Sequence, residues 1–160
     1  MNNQEIRAAL DNHWEATVAL DINRSHDLYH DDVMIEFPQS GERISGKQNI
    51  CELRAHYPAK VTFKILRVRG EGNLWVTELV ITYDGRPVNA VNIMEFRDGK
   101  VACERFTLLI LSNRLSGDLS GSRELNDQIS SLRLMSHRFK VFVINARTSL
   151  IFRESPSNCF

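Results

Sequence analysis

LWVTELVITYDGRPVNAVNIMEFRDGKVACE, residues 74–104, decides the fold. It divides into three runs rich in β-branched and aromatic residues, separated by Asp84-Gly85 and Asp98-Gly99. Asp-Gly between such runs predicts a type I′ hairpin, because both central residues of that turn need φ > 0. The stretch is therefore expected to form an antiparallel meander. Side chains alternate across a strand, so Val76, Glu78, Val80 and Thr82 share one face of the first strand, and Trp75, Thr77, Leu79, Ile81 and Tyr83 the other. On the second strand Asn92, Met94 and Phe96 oppose Val91, Ile93 and Glu95; on the third Ala102 and Glu104 oppose Val101 and Cys103. Each strand carries an acid among apolar neighbours. Such a carboxylate sits either at a wet rim of the sheet or in a pocket, where burial without a partner costs several kcal/mol or shifts its pKa.

The chain around this meander has 160 residues, enough for one domain with a real core, of which 42% are hydrophobic and 25% charged. Its formal net charge is zero, so it has no electrostatic footprint for nucleic acid or an anionic membrane. No apolar run approaches the roughly 20 residues of a membrane span. The start, MNNQEIRAAL, has neither a basic n-region nor an apolar h-region, which predicts a cytoplasmic protein. Cys51, Cys103 and Cys159 are odd in number and lack CxxC spacing, so they read as free thiols and argue against zinc.

Upstream, Asn2 and Glu5 form a capping-box start. Ile6, Leu10, Trp14 and Val18 follow at i+4 spacing and predict a helix to about Ile22, with His13 at the edge of its apolar stripe. That histidine is expected to be partly buried and satisfied by a neighbour. A short helix over 25–29 is followed by Tyr29-His30-Asp31-Asp32, a polar cluster that reads as a helix-to-strand turn more readily than as a metal site. Val33 to Phe37 alternates as a strand, with Glu36 as another acid beside an apolar neighbour, and Glu42-Arg43-Ile44 reads as a short edge strand. Ser45 with Gln48 predicts a capping box for a helix from Lys47 to Tyr57, ended by Pro58. Its buried side carries Ile50, Leu53 and Tyr57, while the helix dipole accounts for His56 in the last turn. Val61 to Arg69 is the next strand, and Gly70-Glu71-Gly72-Asn73 turns into the meander. GxG here precedes a strand, so it is not a phosphate loop.

The order predicts an α+β fold: a strongly curved, mostly antiparallel sheet with helices packed on its concave side, forming a cone with an internal pocket. From His13 to Glu104 the sequence resembles the SnoaL-like branch of the nuclear-transport-factor-2-like superfamily. HWEA, YHDDVMIEFPQSGERISGKQNI and the LWVTELVITYDGRPVNAVNIMEFRDGKV meander carry the likeness. The resemblance implies the cone with its pocket, and often a homodimer through the outer face of the sheet. Some relatives are polyketide cyclases or ketosteroid isomerases, and the fold alone does not fix the function.

After Glu104 the resemblance stops. Relatives continue with an aromatic strand end, a Pro-rich turn and a Trp-containing tail, whereas this chain reads ERFTLLILSNRLSGDLSGSRELND. Codons exist for that stretch which, read one nucleotide out of register, spell IYFADPFEPPERRSQWVERIE and then a stop. We therefore expect a frame-shifted ending from about Arg105, with a cone domain at 1–111 and an atypical tail at 112–160. Residues 112–160 hold ten serines and seven bases against four acids, while the first 111 residues hold sixteen acids against thirteen bases. FTLLIL remains β-prone, so the last strand is still expected to extend to Leu111.

Two functions are weighed. In the first, Glu36, Glu78 and Glu104 face one cavity, where desolvation and mutual repulsion raise at least one pKa and create a general base for a proton next to a carbonyl. Asn92, His56 and Tyr57 then donate hydrogen bonds to the enolate oxygen, and Trp14, Met94 and Phe96 complete the ligand-binding set. The chemistry is isomerisation or aldol-type ring closure, with no cofactor and no metal. In the second, the acids pair with Arg43, Arg67 or Arg69, and the protein is a non-enzymatic ligand-binding or dimerisation module. Both take a small apolar or carbonyl-containing metabolite, and both are expected to form homodimers. An acid isolated in an apolar pocket favours the first; an acid clamped by arginine favours the second.

Overall fold

The computed structural model describes residues 1–109. The boundary expected after residue 111, the segment 112–160 and the end of the last strand at Leu111 lie outside them. The elements run α1 (Asn3–Val18), α2 (Ile22–His26), β1 (Tyr29–Phe37), β2 (Glu42–Ser45), α3 (Lys47–Ala55), β3 (Val61–Glu71), β4 (Leu74–Tyr83), β5 (Arg86–Arg97) and β6 (Lys100–Leu109). The fold is α+β. One six-stranded sheet has the order β2-β1-β6-β5-β4-β3; β1 and β6 pair in parallel and all other neighbours antiparallel.

The two hairpins form as expected, with φ of 49° and 84° at Asp84 and Gly85, and 51° and 79° at Asp98 and Gly99. The meander fixes the register of β4 on β5, where Trp75 faces Met94, Thr77 faces Asn92 and Leu79 faces Ala90. These residues are all buried, together with Ile81. On the opposite face Val76 pairs with Ile93 and Glu78 with Val91, none of them fully buried. One departure from alternation matters. The β5–β6 register shifts between Glu95 and Phe96, so that Val101 pairs with Phe96 and Glu104 with Met94. With Ala102 as the extra residue, the bulge puts Val101 and Glu104 on the same inner face.

The helices cover that face. The Asn2–Glu5 capping box is present, and Ile6, Leu10 and Trp14 are buried, whereas Val18 is 49% exposed because the helix ends there. α1 packs on α2 and β3, while α3 packs on α2, β1 and β2. The capping box expected at Ser45 is absent: Gly46, at φ 90°, is the N-cap of α3 and no side chain caps it. Tyr29-His30-Asp31-Asp32 is not a turn but the start of β1, since α2 ends earlier than the sequence suggested. Cys51 is a free thiol, as expected; Cys159 lies outside the described residues. Among the described residues no helix is long and apolar enough to cross a membrane.

Candidate functional site

The inner face holds a buried polar cluster centred on Glu104, which is 1% exposed. Its strand brings it beside Ile35 of β1 and Met94 of β5. Three side chains donate to its carboxylate. The Tyr29 hydroxyl at the start of β1 donates to Oε2, Asn92 Nδ2 on β5 donates to Oε1 at 2.5 Å, and Arg54 Nη2 on α3 lies 3.3 Å from both oxygens. The Arg54 guanidinium also stands 5.5 Å from the centre of the Tyr29 ring. Burial raises the Tyr29 pKa, so the phenol stays protonated and remains a donor.

A second layer orients the first. His26 Nδ1 lies 2.5 Å from the Ile22 carbonyl, which can only accept, so the proton is on Nδ1. Nε2 then offers its lone pair to Arg54 Nη1 at 3.2 Å. Burial, followed by the Arg54 charge, lowers the His26 pKa to about 4 and keeps that tautomer neutral. His13 Nδ1 likewise donates to the Ser25 carbonyl at 2.6 Å, and burial lowers its pKa to about 4. His13 is thus buried and satisfied, as expected. Its ring lies edge-on to both Trp14 and Tyr29, and Trp14 Nε1 donates to Thr77 Oγ1 at 3.0 Å. Trp14, Met94 and Phe96 form buried apolar walls of this interior.

The three acids are not brought together. Glu36 points to the other face of the sheet, held by Arg43 at 3.0 Å and Arg105 at 3.0 Å. Glu78 is 46% exposed on that outer face, 3.5 Å from Arg67, beside a shallow depression lined by Arg69, Leu74 and Val76. The mutual repulsion expected among them does not arise. His56 caps the C-terminus of α3, with Nδ1 3.0 Å from the Glu52 carbonyl and a side chain 67% exposed, so it does not enter the interior. Tyr57 packs 6.0 Å from the Tyr83 ring, and burial pushes its pKa up to about 12. Of the expected site residues, Glu104, Asn92, Trp14, Met94 and Phe96 share the interior. Tyr29, His26 and Arg54 were missed. Arg54 had a legible signal, standing at i+4 from buried Ile50 and directly after Leu53.

Residues 7–104 match the SnoaL-like domain family. The chain belongs to the SnoaL-like family. This SnoaL-like chain is 45% identical to an NTF-2 like protein of unknown function from Burkholderia xenovorans LB400, over 73% of this chain and 94% of that one, with a TM-score of 0.66. A ketosteroid-isomerase candidate from Kribbella flavida DSM 17836 is 20% identical over 68% of this chain and 80% of that chain, at a TM-score of 0.64. An LEH-like epoxide hydrolase of M. tuberculosis is 20% identical over 82% of this chain and 96% of that chain, at a TM-score of 0.57. At these lower identities the likeness is one of fold. No curated protein matches the SnoaL-like chain.

Proposed function

We propose that this SnoaL-like protein binds a small carbonyl compound against the inner face of its sheet and moves a proton on it without a cofactor, as an isomerase or cyclase. The observation that supports this is the one buried carboxylate among the described residues, Glu104, held among donors. In the proposed step the C–H bond beside the carbonyl breaks and its proton goes to Glu104. The electron pair moves onto the carbonyl oxygen as an enolate. Tyr29 and Arg54 then turn their donors from the neutralised acid to the new oxyanion. The negative charge moves a short way and Arg54 stays paired with it throughout, so the step does not strand an ion in a low-dielectric interior. Returning the proton to another carbon isomerises the compound; attack of the enolate on a second carbonyl closes a ring. Arg54 is the member that reaches outward, its side chain 30% exposed.

The Arg54 contact also favours a second reading, binding without turnover, because the Glu104 carboxylate is already committed to donors from Tyr29, Asn92 and Arg54. Under either reading we place the protein in the cytoplasm as a homodimer. The half-exposed Leu74, paired with Glu95 on the outer face of the sheet, supports a dimer contact there.

The test uses the full chain with cyclic ketones and 1,3-diketones in D2O, following binding and loss of the α-proton signal by NMR. Exchange that falls about a hundredfold or more in Glu104→Gln supports catalysis. Binding without exchange supports the second reading, and absence of binding overturns both.

A further inference from the structure

Asn92 is fully buried. Its Nδ2 is committed to Glu104, yet its Oδ1 has no hydrogen-bond partner among the described residues. A buried acceptor left unpaired is costly, and native interiors rarely tolerate one without a ligand or a water to fill it. The carboxamide cannot be relieved by flipping, since that would set oxygen against the Glu104 carboxylate and leave the NH2 unpaired instead.

Directly across the strand pair stands Thr77, on the same face and 1% exposed. Its oxygen accepts from the Trp14 indole, so its own hydroxyl proton is available to another acceptor. Side chains of directly opposed residues lie about 5 Å apart at Cβ. The interior therefore offers an unpaired acceptor on Asn92 and an available donor on Thr77 side by side. A hydroxyl group complements that pair, giving its proton to Asn92 and accepting from Thr77; a plain ketone or hydrocarbon leaves Asn92 unsatisfied.

We infer that Asn92 and Thr77 form a hydroxyl-recognising subsite, and that the preferred ligand is a hydroxy-carbonyl compound. Because the oxygen and nitrogen of the Asn92 amide share one carbon, the ligand hydroxyl sits close to the C–H that faces Glu104. This rests on the small-carbonyl reading of the site and narrows it to compounds whose hydroxyl neighbours the acidic carbon. Asn92 therefore sets specificity as well as holding Glu104.

The experiment measures the affinities of 2-hydroxycyclohexanone and cyclohexanone for the full chain by NMR titration, in the native protein and in Thr77→Val and Asn92→Leu. The hydroxyketone is expected to bind on the order of tenfold more tightly or better, because a site built around a hydroxyl rejects the analogue lacking it. Thr77→Val should reduce that preference and Asn92→Leu abolish it. Should the variants not fold, the side-chain amide signals of Asn92 in the native protein decide: they should move with the hydroxyketone and stay put with cyclohexanone. Equal affinities, or an Asn92 amide indifferent to both, overturn the subsite, as when an internal water already fills it, and leave the small-carbonyl reading intact. If neither compound binds, both fall.

Discussion

Arg54 and Glu104 carry opposite charges in an interior that also holds apolar Leu79, Ile81, Ala90 and Met94. Removing one partner of a buried pair strands the other, at about 3–5 kcal/mol. Arg54→Met is therefore expected to lower unfolding stability by about 3 kcal/mol, and Arg54→Met with Glu104→Gln by clearly less, in urea titrations. A double variant no more stable than Arg54→Met would show that the carboxylate is not stranded. The two histidines give a pH dependence of definite sign. Burial depresses each folded pKa from 6.5 to about 4, so between those values the unfolded chain binds more protons and stability rises with pH. Each histidine contributes on the order of 3 kcal/mol, present above pH 6.5 and lost as the pH falls to 4. Thermal melts from pH 7 to 4.5 should fall steeply, and His13→Asn with His26→Gln should flatten the curve in that window.

Elements differ in how much of themselves the sequence exposes. The hairpins were legible because Asp-Gly leaves a β-rich run few alternatives, and α1 because its cap and its i+4 stripe agree. That Asn92 and Met94 share a face followed from simple alternation; which face turns inward did not. Nor did the position of Val101 beside Glu104, since it depends on a bulge that no local residue announces. Tyr29 and Arg54 were hidden for a related reason: their meeting is set by packing of α3 on β1, a contact between elements rather than a pattern within one. Gly70 is a case where packing dictates residue type. It lies opposite Trp75, and a Cβ there would stand 2.4 Å from the Leu74 carbonyl oxygen and 2.7 Å from the Trp75 ring. Backbone cannot yield as a flexible side chain would, so Gly70→Ala is expected to cost about 2–3 kcal/mol. The same variant should change Trp75 fluorescence in the folded state. An unchanged melt and spectrum would mean the β3–β4 hairpin shifts freely.

At the scale of the whole molecule, net charge zero conceals two unlike parts, an acidic first 111 residues and a basic, serine-rich remainder. The family match ends at Glu104, and the Burkholderia relative is covered almost completely while over a quarter of this chain stays unmatched. Beyond that match the chain still makes a strand: β6 continues beside β5 through Leu109, with Phe106 6.2 Å from the Phe37 ring. That follows from chemistry, because Phe-Thr-Leu-Leu suits a pleated, half-buried surface. A strand needs only the right residue classes, whereas a packed tail needs particular partners, which an ending produced by the frame-shift expected from the sequence would not have been selected to provide. A chain with IYFADPFEPPERRSQWVERIE restored is therefore expected to elute as a uniform dimer in size-exclusion chromatography with light scattering. The 160-residue chain is expected to run as a different oligomer or as aggregate. If both run alike and melt alike, the present ending belongs to a competent fold, and the frame-shift explanation loses its physical support.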